Sequence, residues 1–235
     1  MEKQMLENVN LKNIDYNELK RQICFREINV EEVSLIAGVD VAYANIDNIE
    51  YGICSILLFD FTSFELIDKV NSYVKVDAPY KPGMLGLHEL PVIFDAYKKL
   101  SVIPDIFMLD GNGYLHKNHL GIATMFSCFT NVPSIGVAKS YYNVGEDKWE
   151  MPDNSIGSIS YLKKDKEIYG VAMRSRVNCK PVYVSVGNYI SLDNAIDITR
   201  RCLNDESRIP IPTRLADIDT HIERKKFVLR KCRDV

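Results

Sequence analysis

The sequence lacks the features that define several protein classes. No apolar run approaches the roughly 18 residues of a membrane-spanning helix, and the polar N-terminal residues offer no signal-peptide core. The six cysteines include no CxxC pair, which argues against a zinc site and against a secreted disulfide framework. No internal repeat and no Ser/Pro/Gly-rich linker divides the chain. We therefore expect a cytoplasmic, monomeric protein with reduced cysteines and one domain over residues 1–235.

The sequence also lacks a large excess of either positive or negative charge. The net charge is −3 and the pI about 5.9, which by itself does not suggest a nucleic-acid partner. The basic residues are uneven, however, with one group between residues 224 and 233 and another around Arg174, Arg176 and Lys180. A terminal run of like charges is usually a solvated, fraying segment. The sequence therefore predicts a basic tail over about residues 222–235.

The hydrophobic pattern indicates an α/β protein. An amphipathic helix is predicted over 16–28, and later helices over 89–100 and 118–130 and from Ser191 onward. Strands are predicted at 35–43, 51–61, 64–76, 105–110, 134–138, 156–162, 167–175 and 181–186, with a turn near Thr62-Ser63. An antiparallel meander followed by alternating helices and strands is typical of a mixed central sheet flanked by helices.

Two acidic residues lie where an apolar strand does not usually hold a charge. Asp40 interrupts the run IAGVDVAY at 36–43, and Asp110 ends the run Ile106-Phe107-Met108-Leu109 before a glycine turn. A buried carboxylate is costly unless it is paired or binds a metal. Either acid alone is as readily explained by a turn cap or an ion pair with arginine. Two of them together favour a site at the sheet end.

Magnesium suits this residue chemistry. Mg2+ prefers carboxylate oxygens, keeps several waters, and is usually held by one or two carboxylates plus substrate phosphates. In phosphodiester hydrolysis such an ion polarises the phosphate and activates water. The ligands lie on separate elements, so their sequence spacing adds no further support.

Several sequence blocks, in one order along nearly the whole chain, resemble the endonuclease V family. They are IAGVDVAY (36–43), PYKPGMLGLHE (79–89), PDIFMLDGNGYLH (104–116), LGIA (120–123), PSIGVAKS (133–140), KPVYVSVGNYISLDNAI (180–196) and IPTRLAD (211–217). The resemblance implies a ribonuclease H-like fold and a Mg2+-dependent endonuclease, with Mn2+ expected to substitute. The implied reaction is cleavage of the second phosphodiester bond 3′ to inosine in DNA, leaving 3′-hydroxyl and 5′-phosphate ends, as a step of DNA repair.

By the same resemblance, five residues form the catalytic group. Asp40 and Asp110 would ligate the metal directly, and Glu89 would complete the acidic set. Asp217 fills a position at which the family has Asp or His, and Lys139 would lie near the scissile phosphate. Alternatives remain for three of them: Glu89 as a first-turn helix acid, Lys139 as a surface lysine, and Asp217 as a helix cap.

The resemblance also implies how the base is read. Tyr80 between Pro79 and Pro82 would be a rigid wedge that fills the gap left by an extruded base, although it could simply pack on the surface. The remaining base-contacting residues would form a pocket; they are Gly83, Leu85, Gly111, Asn112, His116, Gly121 and Ile122. Glycines let backbone amides approach the base edge. For His116 a hydrogen-bonded structural role is the commoner alternative.

One departure and three competing hypotheses follow from the sequence. The family commonly has Phe-Arg before the helix glutamate, whereas this chain has Leu87-His88, and histidine cannot bind phosphate bidentately as arginine does. Inosine in RNA is an alternative substrate. A non-catalytic nucleic-acid-binding module is disfavoured by the retained acids. A general nuclease acting on RNA–DNA hybrids would cleave without inosine.

Overall fold

The structure is a computed structural model that describes residues 14–76, 85–145 and 148–232. Its strands are β1 (Leu35–Ile46), β2 (Ile49–Asp60), β3 (Leu66–Lys75), β4 (Ile106–Asp110), β5 (Ser134–Ala138), β6 (Ile159–Lys164), β7 (Glu167–Met173) and β8 (Val182–Asn188). Its helices are α1 (Tyr16–Arg21), α2 (Leu85–Lys99), α3 (Ile122–Thr130), α4 (Leu192–Arg201) and α5 (Ile211–Lys231), besides a 3-10 turn at Val30–Glu32.

All these strands form one mixed sheet in the order β3-β2-β1-β4-β5-β8-β7-β6. The first three are an antiparallel meander, β1, β4 and β5 run parallel, and β8, β7 and β6 continue antiparallel. This confirms the predicted α/β class and mixed sheet. No helix within the described ranges is long and apolar enough to cross a membrane.

The two faces of the sheet carry separate hydrophobic cores because side chains alternate along each strand. Ala37 and Phe107 face a core shared with α2 and α3, where Tyr97 and Phe126 pack together. Ile36, Ile106 and Met108 face a second core that includes residues of α4 and α5. All six cysteines are free, as predicted.

Three helix boundaries differ from those predicted from the sequence. The helix predicted over 16–28 ends at Arg21, because the following chain pairs with distant groups: Cys24 N donates to Asn188 Oδ1 (2.7 Å) and Tyr189 N to Cys24 O (2.9 Å). The helix predicted from 118 begins at Ile122, and α2 begins at Leu85 rather than 89. The predicted start at Ser191 is confirmed, since its Oγ caps Asn194 N.

The prediction of a basic tail is wrong for the residues up to Lys231, because they belong to helix α5. Aromatic and acidic contacts hold its second half on the sheet. Glu223 is only 6% exposed and accepts hydrogen bonds from Tyr73 Oη (2.6 Å) and Lys226 Nζ (2.7 Å). Phe227 stacks on Tyr73 with ring centroids 5.2 Å apart. The basic run is therefore part of an anchored helix.

Gly38 sets how closely α5 approaches β1. A Cβ added there would lie 1.9 Å from the carbonyl oxygen of Pro212. We expect Gly38→Ala to destabilise the fold by about 1–3 kcal/mol, as overpacking does, in urea denaturation. The control is Gly86→Ala, because the atom nearest an added Cβ there is the flexible Met125 Sδ and alanine favours the helix. Equal denaturation midpoints for the two variants would contradict this packing account.

Candidate active site

Two carboxylates meet where the central parallel strands diverge. β1 pairs with β4 over Ile36–Val39, so Asp40 is the first β1 residue beyond that pairing, and Asp110 ends β4. Asp40 is 8% exposed. Burial raises the pKa of Asp40 to about 8, helped by the negative charge of Asp110 and opposed by Lys139. The pair is therefore a site at which a proton or a cation must compensate for buried charge.

Glu89 reaches the same site from the opposite face of the sheet. It lies in the second turn of α2, which excludes the alternative of a first-turn helix acid. Burial, the largest effect, and the charges of Asp40 and Asp110 together raise the pKa of Glu89 to about 8. Glu89 therefore lies close enough to Asp40 and Asp110 for their charges to act on it.

Lys139 directly follows β5 and bridges two acids. Its Nζ lies 2.5 Å from Asp110 Oδ2 and 2.7 Å from Asp217 Oδ1. Burial lowers the pKa of Lys139, but its attraction to Asp110 and hydrogen bonds to both acids outweigh that effect and raise it. The side chain is half-buried and fully charged, so it is not a free surface lysine.

Asp217 and His221 bring α5 into the site. Asp217 lies in the second turn of α5, so it does not cap the helix. The structure brings ligand atoms of Asp40, Asp217 and His221 within 4.8 Å of one another. His221 Nδ1 also lies 2.8 Å from the backbone oxygen of Asp217. His221 was not among the residues predicted from the sequence; its i, i+4 spacing from Asp217 is the signal that places both on one helix face.

A polar network holds α5 level with Asp40. The Asp219 carboxylate accepts hydrogen bonds from Ser55 Oγ (2.9 Å), Asn71 Nδ2 (2.9 Å) and Lys69 Nζ (2.8 Å). Ser55 is the direct cross-strand partner of Asp40. These contacts fix the helix that carries Asp217, and no sequence pattern pointed to them.

Four of the predicted pocket residues lie together where the loop after Asp110 meets the start of α3: Gly111, Asn112, Gly121 and Ile122. A Cβ added to Gly111 would lie 2.6 Å from Ile122 Cγ2, and one added to Gly121 would lie 2.2 Å from the Asn112 carbonyl oxygen. Asn112 Oδ1 is buried with no hydrogen-bond partner within the described chain. α3 begins here without a side-chain cap, and Ala123 N donates to the backbone oxygen of Asn112 (3.1 Å), which ties the loop to the start of the helix.

Of the other predicted base-contacting residues, His116 and Leu85 lie within the described ranges. The ring of His116 stacks on Tyr142 with centroids 5.1 Å apart, and burial, followed by the charge of His119, lowers its pKa. Leu85 is the first residue of α2. Pro79, Tyr80, Pro82 and Gly83 lie outside the described residues.

His88, at the position where the family commonly has arginine, is turned inward. It is 6% exposed, its ring contacts that of Tyr43 at 4.6 Å, and its Nε2 lies 2.9 Å from Glu50 Oε2. A side chain in this position presents little surface to a phosphate. At this position the chain therefore has a buried histidine next to Glu50.

The donor set fits a hard divalent cation. Asp40, Glu89, Asp110 and Asp217 supply carboxylate oxygens, the ligands that Mg2+ prefers. Lys139 is the one ammonium bound to this group in the described structure. It leaves the two acids with raised pKa values uncompensated when they are ionised. A divalent ion would supply the missing positive charge.

Metal binding should therefore strengthen with pH. The pKa values of Asp40 and Glu89 are about 8 in the folded protein and about 4 in the unfolded chain. Between those values the folded state holds more protons, so the metal-free protein loses stability as pH rises. We expect Mg2+ to raise the denaturation midpoint more at pH 8.5 than at pH 6. A midpoint shift independent of pH would contradict the assignment of these acids.

Comparison with known proteins gives consistent matches. The family profile described as Endonuclease V matches residues 17–218. An endonuclease V of Bacillus thuringiensis is 48% identical over 199 residues, which cover 85% of each chain. The crystal structure of Bacillus subtilis endonuclease V is 42% identical, covers 90% of each chain and superposes with a TM-score of 0.87. The Ciona intestinalis endonuclease V, solved with DNA containing an inosine followed by a ribo-adenosine, is 25% identical over 90% of this chain and 95% of its own, with a TM-score of 0.77.

Proposed function

Because the chain belongs to the endonuclease V family, a family of nucleases that hydrolyse phosphodiester bonds, we propose that it cleaves inosine-containing DNA. The proposed cut is the second phosphodiester bond 3′ to inosine, leaving 3′-hydroxyl and 5′-phosphate ends. Its role would be the repair of deaminated adenine. The complex of the Ciona relative with inosine-containing DNA supports this substrate.

The observation that carries the proposal is the adjacency of two features. Asp110, a member of the acidic cluster, is followed directly by Gly111 and Asn112 of the predicted pocket. A base held in that pocket would place nearby phosphates of its own strand at the acids. Chemistry beside a recognised base needs this arrangement, since recognition and cleavage act on one strand.

Each group has a distinct task in the proposed reaction. Asp40, Glu89 and Asp110, with Asp217 and His221 alongside, would hold Mg2+, which when bound supplies Lewis-acid stabilisation of phosphate charge. Lys139 Nζ is a fixed positive charge between Asp110 and Asp217 that favours the extra negative charge of the transition state. The surrounding fold orients these charges before substrate arrives.

Base choice would depend on the pocket at the start of α3. Hypoxanthine carries oxygen at C6 and no amine at C2. The Asn112 side chain, whose buried Oδ1 has no hydrogen-bond partner in the described chain, would contact the base edge, and Gly111 and Gly121 would let the backbone approach the base closely. The wedge role of Tyr80 remains a prediction.

Four matched single strands test this proposal: DNA and RNA, each with inosine or adenosine at one position. We expect cleavage of the inosine DNA with Mg2+, cleavage also when Mn2+ replaces Mg2+, and no cleavage in EDTA. Cleavage of the adenosine strands at equal rate would indicate a general nuclease. Faster cleavage of the inosine RNA would establish RNA as the preferred substrate instead. Binding without cleavage of any strand would identify a non-catalytic module.

A further inference from the structure

α5 extends the face that carries Asp217 and His221 well beyond the acidic cluster. At 3.6 residues per turn, Arg224 and Lys225 lie on the same side of the helix as those two residues. Arg224 is seven positions after Asp217, about 10 Å further along the axis. Lys231 does not belong to this side, because its Nζ lies 5.9 Å from the ring centroids of both Tyr51 and Phe227, among the anchoring aromatic side chains. We call Arg224 and Lys225 the α5 basic face.

The anchoring contacts of α5 lie on a different side of the helix. Glu223 points into the sheet, accepts from Tyr73, and pairs with Lys226. Arg230 lies 3.9 Å from the same carboxylate. In contrast, neither Arg224 nor Lys225 forms an ion pair with any acid in residues 14–76, 85–145 and 148–232. Lys225 is exposed and Arg224 half-buried, so their charges remain available to a ligand.

The two arginines of the other basic group in the sequence are already committed to the fold. Arg174 donates to the backbone oxygens of Pro152, Asp153 and Cys179. Arg176 donates to the backbone oxygen of Glu206. Lys69, near the site, is bound to Asp219. Unlike these bound side chains, Arg224 and Lys225 carry uncommitted charge on the helix that supplies Asp217.

We propose that the α5 basic face binds backbone phosphates of the nucleic-acid strand as it leaves the active site, on one side of the cleaved bond. This inference rests on the proposed function. An acidic cluster in a chain of net charge −3 repels a polyanion, so cations flanking the cluster are needed to hold the strand there. The face lies on the helix that supplies Asp217, so strand position and catalytic geometry are set by one element.

Salt dependence of binding tests the proposal without relying on cleavage. The probe is a fluorescein-labelled single-stranded 30-mer DNA with inosine or adenosine at its centre, titrated in EDTA. The salt slope is the magnitude of the fall of log affinity with log salt concentration. Because each lost phosphate contact lowers this slope by about 0.7 for single strands, Arg224→Gln/Lys225→Gln should lower it by about 1.4. We expect an equal loss of affinity for both strands, about tenfold at low salt.

The matched control is Lys163→Gln/Lys166→Gln, which removes two exposed lysines on and after β6, at the far edge of the sheet. Its slope should equal that of the wild type. If the Arg224/Lys225 double variant fails to fold, Lys225→Gln alone, at an exposed position, should lower the slope by about 0.7. A double variant with the slope of the control would overturn the proposal.

Truncated strands show which side of the cut the face holds. Two inosine DNAs are shortened either 5′ or 3′ of the cut, and their affinities are compared between the wild type and the double variant. The loss of affinity in the double variant relative to the wild type should vanish for one truncated strand and persist for the other. A deficit that persists equally for both would overturn the proposal. Failure of the proposed function would appear separately, as a wild-type protein that binds these strands but does not cleave at inosine.

Discussion

Asp40→Asn is expected to reduce cleavage of inosine DNA by at least about 10³-fold, the upper end of what removal of one charge-stabilising group costs. The substitution keeps the size of the side chain and removes its charge. The same variant should be more stable than the wild type without metal at pH 8.5, because the raised pKa of Asp40 reflects burial and repulsion by Asp110. Single-turnover rates and urea denaturation measure the two effects.

Asp165→Asn is the control for this variant. Asp165 is exposed in the turn between β6 and β7, with φ 51°, a conformation that asparagine adopts readily. It should match the wild type in rate and in denaturation midpoint. If Asp40→Asn retained cleavage within tenfold of the wild type, Asp40 would not belong to the reaction centre.

Lys139→Met should separate cleavage from metal binding. Removal of the ammonium takes away a fixed positive charge next to Asp110 and Asp217, so the cleavage rate at saturating Mg2+ should fall by about 10²–10³-fold. Metal affinity should stay constant or increase, because Lys139 competes with the ion for the same carboxylates. Calorimetric titration with Mn2+ and single-turnover rates measure the two quantities.

Lys163→Met removes an exposed lysine from β6 and serves as the control for Lys139→Met. It should leave both the rate and the Mn2+ affinity unchanged. A loss of metal affinity in Lys139→Met that accounts for its whole loss of rate would mean that the lysine supports the metal site and does not act on the phosphate.

The sequence was sufficient for the parts of the site that depend on local pattern. Asp40 and Asp110 stood out because an apolar strand rarely carries a charge, and β5 was predicted at the residues where it lies. The mixed α/β sheet followed from the order of elements, and the superposition on known endonuclease V structures confirms the ribonuclease H-like fold.

The rest depended on contacts between residues far apart in the chain. The basic residues after 222 have the composition of a solvated tail. In the structure they belong to α5, which the contacts of Tyr73 with Glu223 and Phe227 hold on the sheet. His221 joins the site because the same helix carries Asp217 past Asp40. Segment 22–28 has a helical pattern, but the hydrogen bonds of Cys24 with Asn188 and Tyr189 hold it in a non-helical conformation. Local propensity does not encode such contacts.

The central claim is that one pocket reads inosine and the adjoining acids cut at a fixed distance from it. Mapping of product ends on two DNA strands of the same sequence, with inosine moved by five nucleotides, tests this most directly. The account predicts that with Mg2+ the cut moves by five nucleotides and stays at the second phosphodiester bond 3′ to inosine. A cut that remains at the same sequence position in both strands would contradict it.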